Sequence, residues 1–306
     1  MNKDTTDLIY LVKRHIKIYF KDKQTFYTSL ITPAILIILY ATFLKSVYEN
    51  SLRSIISGGI AVLSDKVVSG FTAGWLISSI LGTTSVTLAF CSNTIMVDDK
   101  ANGMLADFRI TPTKPTVISL SYFIANTIST AIVCFLCLGL GLLYIAFCGW
   151  FLNAADVIMI CLNLILSILF GSLLATVVES FIKNMGAASA VATLVSSMYG
   201  FLCGAYMPVS QFSQGIRNFV SFIPGTYGTV LFRKYFLRGA IEEIGKTIPT
   251  EYINNIKDGF DSNFYFFGRQ VSAAGCFAVL GISVAVLLIL FIFITYSINK
   301  QVKKSK

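Results

Sequence analysis

Four groups of residues in this chain have the types and spacing of reactive or ligand-holding sites. Ala240-Ile-Glu-Glu-Ile-Gly245-Lys246-Thr247 fits a relaxed phosphate-loop pattern, in which backbone N–H groups cradle phosphates and the lysine answers their charge. That chemistry needs a buried strand before the loop and a helix after it, and no α/β pattern surrounds these residues, so the match reads as chance. Cys134-x-x-Cys137 has redox-pair spacing, yet it lies in an apolar stretch without a βαβ context and reads as packing. His15 is the single histidine, which argues against a zinc cluster. Asp156 and Glu179 flank an uncharged run and belong at its two ends, while the amides Asn93, Asn126 and Asn163 inside such runs suit bonding between helices better than substrate ligation. A membrane enzyme needs His, Asp or Glu gathered at an interface, and this chain lacks that pattern. It is expected to make no bonds itself and to hold no metal or cofactor of its own.

The elements that must carry these residues are set by where charge is missing. Of 306 residues 55% are apolar and 13% charged, with a mean hydropathy of +0.75, which excludes a soluble enzyme. The 24 Lys+Arg and 15 Asp+Glu are bunched, leaving six uncharged runs: Gln24–Leu44, Val67–Val97, Pro115–Ala155, Val157–Val178, Asn184–Ile216 and Gln270–Asn299. A helix crossing the hydrocarbon needs about 20 apolar residues. The reading is an all-α polytopic membrane protein, one transmembrane domain over 1–306, with spans at about 25–45, 70–97, 116–148, 156–178, 186–207 and 271–298. The run from Pro115 is long enough for two spans, but both termini are basic, and an even number of spans places both on the cytoplasmic side. No leader peptide is expected before the first span. All seven cysteines lie in the uncharged runs, so no disulfide framework is expected.

Residues 8–23 read as an amphipathic helix lying on the inner interface. Leu8, Ile9, Val12, Ile16, Tyr19 and Phe20 share one face; Lys13, Arg14, Lys17 and Lys21 share the other and suit anionic headgroups. Pro33 removes a backbone hydrogen bond from the first span. Residues 98–114 form a cytoplasmic loop with a short helix over Ala101 to Arg109, ended before Pro112. Residues 208–270 lie outside and begin as a hairpin dipping back toward the bilayer. The spans contain no Asp, Glu, Lys or Arg by construction and no internal repeat is visible, so the energy for any transport comes from elsewhere.

Two segments narrow this reading. Asp99-Lys100-Ala-Asn-Gly103-Met-Leu105-Ala-Asp-Phe-Arg109-Ile-Thr111-Pro112, preceded by Asp98, resembles the coupling segment of type-2 ATP-binding cassette exporter permeases: an acidic residue, glycine four later, and Thr-Pro eight and nine beyond. It departs at Asp99, where that family usually carries glutamate. Gly204-Ala-Tyr206-Met-Pro208, followed by Pro224-Gly-Thr226-Tyr227 and Arg233, resembles the family's signature around the fifth span and its outer re-entrant hairpin.

The resemblance implies a permease half that pairs with a second copy or a close homologue, and that carries two cytosolic ATPase subunits in which ATP and Mg are bound. It implies a multi-pass protein of the plasma membrane with both termini in the cytoplasm. Residues 98–112 would couple to the ATPase, and the outer residues would shape a gate rather than touch cargo. Membrane lipids are partners; no nucleic acid is implied. Gly70-x-x-x-Gly74 and Gly200-x-x-x-Gly204 permit close helix approach, within one subunit or between two. Cargo is left open among drugs, antimicrobial peptides, lipids and polysaccharide, with the 13% aromatic content leaning to an amphipathic or hydrophobic one. The competing function is an ATP-independent channel or ion-coupled carrier.

Overall fold

The structure, a computed structural model, describes residues 3–57, 63–111 and 113–304. Helix α1 (Lys3–Lys21) opens the chain, with Asp4 in its first turn and Lys21 in its last, each opposing the partial charge of that helix end. Asp22 then caps α2 (Lys23–Ser29) by accepting the Gln24 and Thr25 N–H groups. Pro33 has no N–H to give Ser29, and the helix breaks at Leu30 before resuming as α3 (Ile31–Leu39). A π-helical turn over Tyr40–Leu44 leads into α4 (Lys45–Ser57). The first span therefore does not stop near 45: helix continues to Ser57 where a connecting loop was expected.

Helix α5 (Asp65–Ala101), of 37 residues, is the axis of the molecule and is almost wholly buried. It packs against α7 (Pro115–Cys148), α8 (Ala154–Ser180), α9 (Met185–Leu202) and α11 (Pro224–Gly245). Its many hydroxyls do not make it polar to its neighbours, because Thr72, Ser78 and Thr83 donate back to the carbonyls of Val68, Trp75 and Ser79. Glycine permits the close packing. A Cβ at Gly74 would lie 3.0 Å from the Phe236 carbonyl oxygen, and one at Gly70 would lie 2.7 Å from that of Gly149. The Gly70/Gly74 pair thus serves packing inside this chain.

Six helical stretches among the described residues are long and apolar enough to cross a membrane, at Lys23–Ile55, Asp65–Ala101, Pro115–Cys148, Ala154–Ser180, Met185–Leu202 and Ala273–Ser297. The long uncharged run from Pro115 makes one span: α7 starts with proline at its first turn, and α8 starts at a reciprocal cap between Asn153 and Asp156. The fifth span ends at Leu202, earlier than expected, because Gly204 turns the chain at φ +73°.

The segment after that turn is more helical than the loop expected over 208–270. A 3-10 turn (Val209–Gln211) and α10 (Gln214–Val220) precede α11, whose 22 residues return along α5, α8 and α13 (Ala273–Lys304). Then come α12 (Thr250–Gly259) and a ribbon of β1 (Phe264–Phe266) and β2 (Arg269–Val271), with Phe264 opposite Val271. Positive φ at both Phe267 (47°) and Gly268 (83°) gives the mirror-image turn that closes two-residue hairpins. The phosphate-loop match falls on the last turns of α11 and just beyond, where Lys246 pairs with Glu243 at 2.6 Å. All seven thiols are free.

Candidate functional site

The C-terminal end of α5 is held by charge. Asp99, 5% exposed, accepts hydrogen bonds from Arg14 Nη1 at 2.7 Å, Arg14 Nη2 at 2.9 Å and the Tyr122 hydroxyl at 2.6 Å. The planar guanidinium matches a carboxylate with two parallel bonds, which an ammonium does not, and this takes Arg14 off the headgroup-facing side where the helical wheel puts it. The Asp99 hydrogen bond also holds the Arg14 guanidinium above its usual pKa. His15 lies beneath, stacked on Tyr122 with centroids 4.1 Å apart and Nε2 3.2 Å from Ser121 Oγ. Burial, reinforced by the charge of Arg14, lowers its pKa to about 4, so the imidazole is neutral at physiological pH. Lys13, Lys17 and Lys21 remain exposed, Ile16 is half-buried, and Phe20 packs edge-on against Tyr19 with centroids 5.0 Å apart.

Past Asp99 the chain reverses. Lys100 Nζ donates to the carbonyls of Glu179 and Ser180, both at 3.1 Å, capping the end of α8. The buried Glu179 carboxylate accepts from Asn93 at 2.9 Å, and Asn163 donates to the Gly228 carbonyl at 2.8 Å, so two of the three span amides join helices; Asn126 stays within α7, accepting from Thr130. Asp98 is exposed and accepts from Asn102. Gly103, at φ +78°, breaks the helix expected from Ala101, so the short helix is α6 (Met104–Ile110) and starts three residues later. Leu105 and Phe108 settle on Met96, Ile118 and Tyr122, and Arg14 lies 5.2 Å from the Phe108 ring centroid. Met104 and Asp107 face out. Thr111 ends α6 by donating to the Phe108 carbonyl. Arg109 lies in α6; its side chain and all of Pro112 fall outside the described residues. Lys114–Asp4 at 2.5 Å and Thr113–Asp7 at 3.1 Å bind the loop to the start of α1.

Toward the N-terminal end of α5 the second set of signature residues converges. Arg233, wholly buried on α11, pairs with Asp261 Oδ2 at 2.7 Å, donates to the Gly204 carbonyl, and stands 4.7 Å from the Trp75 ring centroid on α5. Asp261 also accepts the N–H groups of Val209 and Ser210, which fixes the turn that follows Pro208. Pro224 opens α11, Thr226 donates to the Leu202 and Val220 carbonyls, and Tyr227 donates to that of Ser221 at 2.7 Å. Tyr206 lays its ring over Gly200 and Phe201, while its carbonyl accepts from Tyr48 at 3.3 Å. Sequence reasoning missed Asp261, Trp75 and Tyr48. Asp261 sits in the left-handed region at φ 53°, a feature that only the structure shows.

Between α2–α3 and α9 lies a cleft of about 530 Å³, lined by Thr28, Ile31, Ile35, Thr94, Thr193 and Ser197 among others. It gives α9 a hydroxyl-bearing face that no described residue of the chain covers.

A bundle with six helical stretches long and apolar enough to cross a membrane, packed around a buried axial helix and joined at one end to the amphipathic helix α1 and the short helix α6, defines an all-α polytopic membrane protein. The family model for the ABC-2 type transporter matches residues 6–237, and this chain belongs to that family. The match takes in α1, the site around Asp99 and α11 as far as Leu237, and stops short of Asp261 and α13. No curated protein matches the sequence.

Proposed function

We propose that this chain is the membrane-spanning subunit of an ATP-driven exporter. Two copies, or one with a close homologue, enclose a pathway and receive work from two cytosolic ATPase subunits that bind ATP and Mg. The observation that carries this reading is the construction of the inner end: the short helix α6 is hinged at Gly103 to α5, the most deeply buried span, which Asp99 fastens to Arg14 of α1. A push on Met104 or Asp107 reaches α5 directly. At about 1.5 Å per residue, α5 is a rod of roughly 55 Å, and its far part carries Trp75 under Arg233. Hydrolysis at the inner end can thereby move the outer knot, the arrangement that alternating closure requires.

In this reading both termini are cytoplasmic, in the plasma membrane, and the residues around Arg233 shape the outer gate. The cleft beside α9 is lined by hydroxyls and aliphatic side chains together with Asp22, Gln24 and Asp98, a mixed lining that suits an amphipathic cargo. The test is purification in nanodiscs with the product of a separately encoded nucleotide-binding ATPase. A stable assembly with two of each chain, and hydrolysis altered by its membrane partner, is the expected result. An isolated protein that conducts solute without such a partner would favour the channel or carrier reading.

A further inference from the structure

The turn of the β1–β2 ribbon is not built for water. Two-residue hairpin turns of this hand take Asn-Gly or Asp-Gly, whereas this one takes Phe267-Gly268 and holds a bulky residue in the left-handed region at φ 47°. No described part of the chain offsets that conformation by burying the ring: Phe267 is 56% exposed, Phe266 beside it 38%, and Phe222, just before α11, 65%. The three rings form one cluster. Phe222 meets Phe266 and Phe267 with centroids 5.7 Å apart in each case, and Phe266 meets Phe267 at 5.0 Å, all edge-on. The base of the ribbon is seated in the protein instead. Phe264 is buried, edge-on to Tyr227 at 5.0 Å, and Tyr265, on the other face of β1, donates to Asp258 at 3.0 Å. The ribbon is therefore fixed at its base and ends in an apolar tip.

The place of the tip in the fold identifies what covers it. Only Ser272 separates β2 from α13, whose stretch Ala273–Ser297 is long and apolar enough to cross a membrane, so the ribbon stands at the edge of a span. The same end of the bundle is marked again where α7 finishes: Phe147 is 82% and Trp150 47% exposed, and Gly149 between them lies against Gly70, on the part of α5 that carries Trp75 and Arg233. Charge agrees with this position. Arg269, opposite Phe266 in the ribbon, is exposed and forms no ion pair among the described residues, and no Asp or Glu follows Asp261 in the sequence. We propose that the cluster of Phe222, Phe266 and Phe267 is inserted in the bilayer interface beside α13, with Arg269 at the level of the lipid phosphates. Phospholipid supplies both the apolar depth for the rings and the anionic oxygens for the guanidinium. Because the ribbon begins shortly after Asp261, a tip held by lipid also steadies the carboxylate that pairs with Arg233. The inference stands on the spans and does not depend on the exporter reading.

The experiment is a spin-label accessibility measurement on the full chain, its seven native cysteines replaced, in nanodiscs of equal parts dioleoyl phosphatidylcholine and dioleoyl phosphatidylglycerol. Labels are placed at Phe267→Cys, at Phe222→Cys and, as the water-facing reference, at Glu251→Cys on the exposed start of α12. Power saturation then compares collisions with oxygen, which concentrates in hydrocarbon, and with a water-soluble nickel chelate. The ratio of oxygen to nickel collisions should rise above that of Glu251 at both aromatic positions. A ratio equal to that of Glu251 leaves the tip in water and overturns the proposal; low collision rates with both reagents show that protein, such as a second copy, covers the tip and overturn it equally. The double variant Phe266→Ser/Phe267→Ser removes no buried side chain. At about fivefold per half-inserted ring, it should lower the exchange protection of the ribbon amides in the same nanodiscs by about 10- to 30-fold, and unchanged protection also overturns the anchor.

Discussion

Arg14→Gln tests whether the interfacial helix is seated by its ion pair or only by the membrane. Arg14 makes two charge-assisted hydrogen bonds to Asp99, at 2.7 and 2.9 Å, and such bonds contribute about 1.5–3 kcal/mol each. The arginine side chain is 29% exposed, and the neutral amide that replaces it can still give Asp99 a hydrogen bond but no charge, so the net loss to the seating of α1 is about 2 kcal/mol. That corresponds to about a 30-fold rise in the undocked population. Hydrogen exchange of the α1 amides, followed by mass spectrometry in nanodiscs, reads this directly, and protection over Val12–Tyr19 should fall by that factor. Asp99→Asn should do nearly the same, and the double variant should cost little more than either alone, since each single change already breaks the pair. If protection changes by less than about threefold, or if the two costs add, headgroups rather than Asp99 hold the helix and the link from α1 to α5 is wrong.

Three further outcomes follow from the same geometry. His15 has a pKa of about 4 when folded against an ordinary 6.5, so the unfolded form binds the extra proton first; the stability it contributes is complete above pH 6.5 and is lost as pH falls toward 4, by up to about 3 kcal/mol, and the protection factors of the α1 amides, taken relative to the intrinsic exchange rate at each pH, should fall between pH 6.5 and 5 in the native chain but not in His15→Gln. Arg233→Met strands the Asp261 carboxylate in a buried site and should cost about 3–5 kcal/mol, seen as a fall in thermal midpoint that Asp261→Asn partly reverses in the double variant. Gly103→Ala puts a side chain at φ +78° with open space around it, so it should cost about 1 kcal/mol and leave the spans intact while reducing partner-stimulated hydrolysis in the assembled complex.

The spans could be read from the sequence because hydrocarbon tolerates so little charge that each appears as a gap between charged residues. Their ends could not, since Asp65, Lys66 and Asp98–Lys100 stay helical beyond the apolar stretch, where water or a partner satisfies them. Helix α11 was hidden for the opposite reason: a segment carrying Arg233, Lys234 and Arg238 looks like a loop until Asp261 and Asp156 are seen to neutralise two of those charges. The β1–β2 ribbon turns on Phe-Gly, without the Asn or Asp that marks such a turn. Of the candidate residues, Gly204, Thr226, Tyr227 and Arg233 were recognisable as a set from their motif, and the structure gathers them around the turn after α9. The inner knot was only half legible, because Arg14 and Asp99 are 85 positions apart and the helical wheel of α1 has no term for a carboxylate arriving from another helix.

In the proposed exporter, α6 is where an ATPase takes hold of this permease. Asp107 is exposed on α6, which makes it a suitable point for a cross-linking probe. With Asp107→Cys in a background whose seven native cysteines are replaced, a bifunctional reagent of about 10 Å reach should join this chain to its separately encoded ATPase, and the yield should change between nucleotide-free and ATP-bound states. If that cysteine reacts freely with a soluble thiol reagent yet never joins an ATPase that co-purifies with the chain, the partner binds elsewhere and the lever from α6 through α5 does not exist.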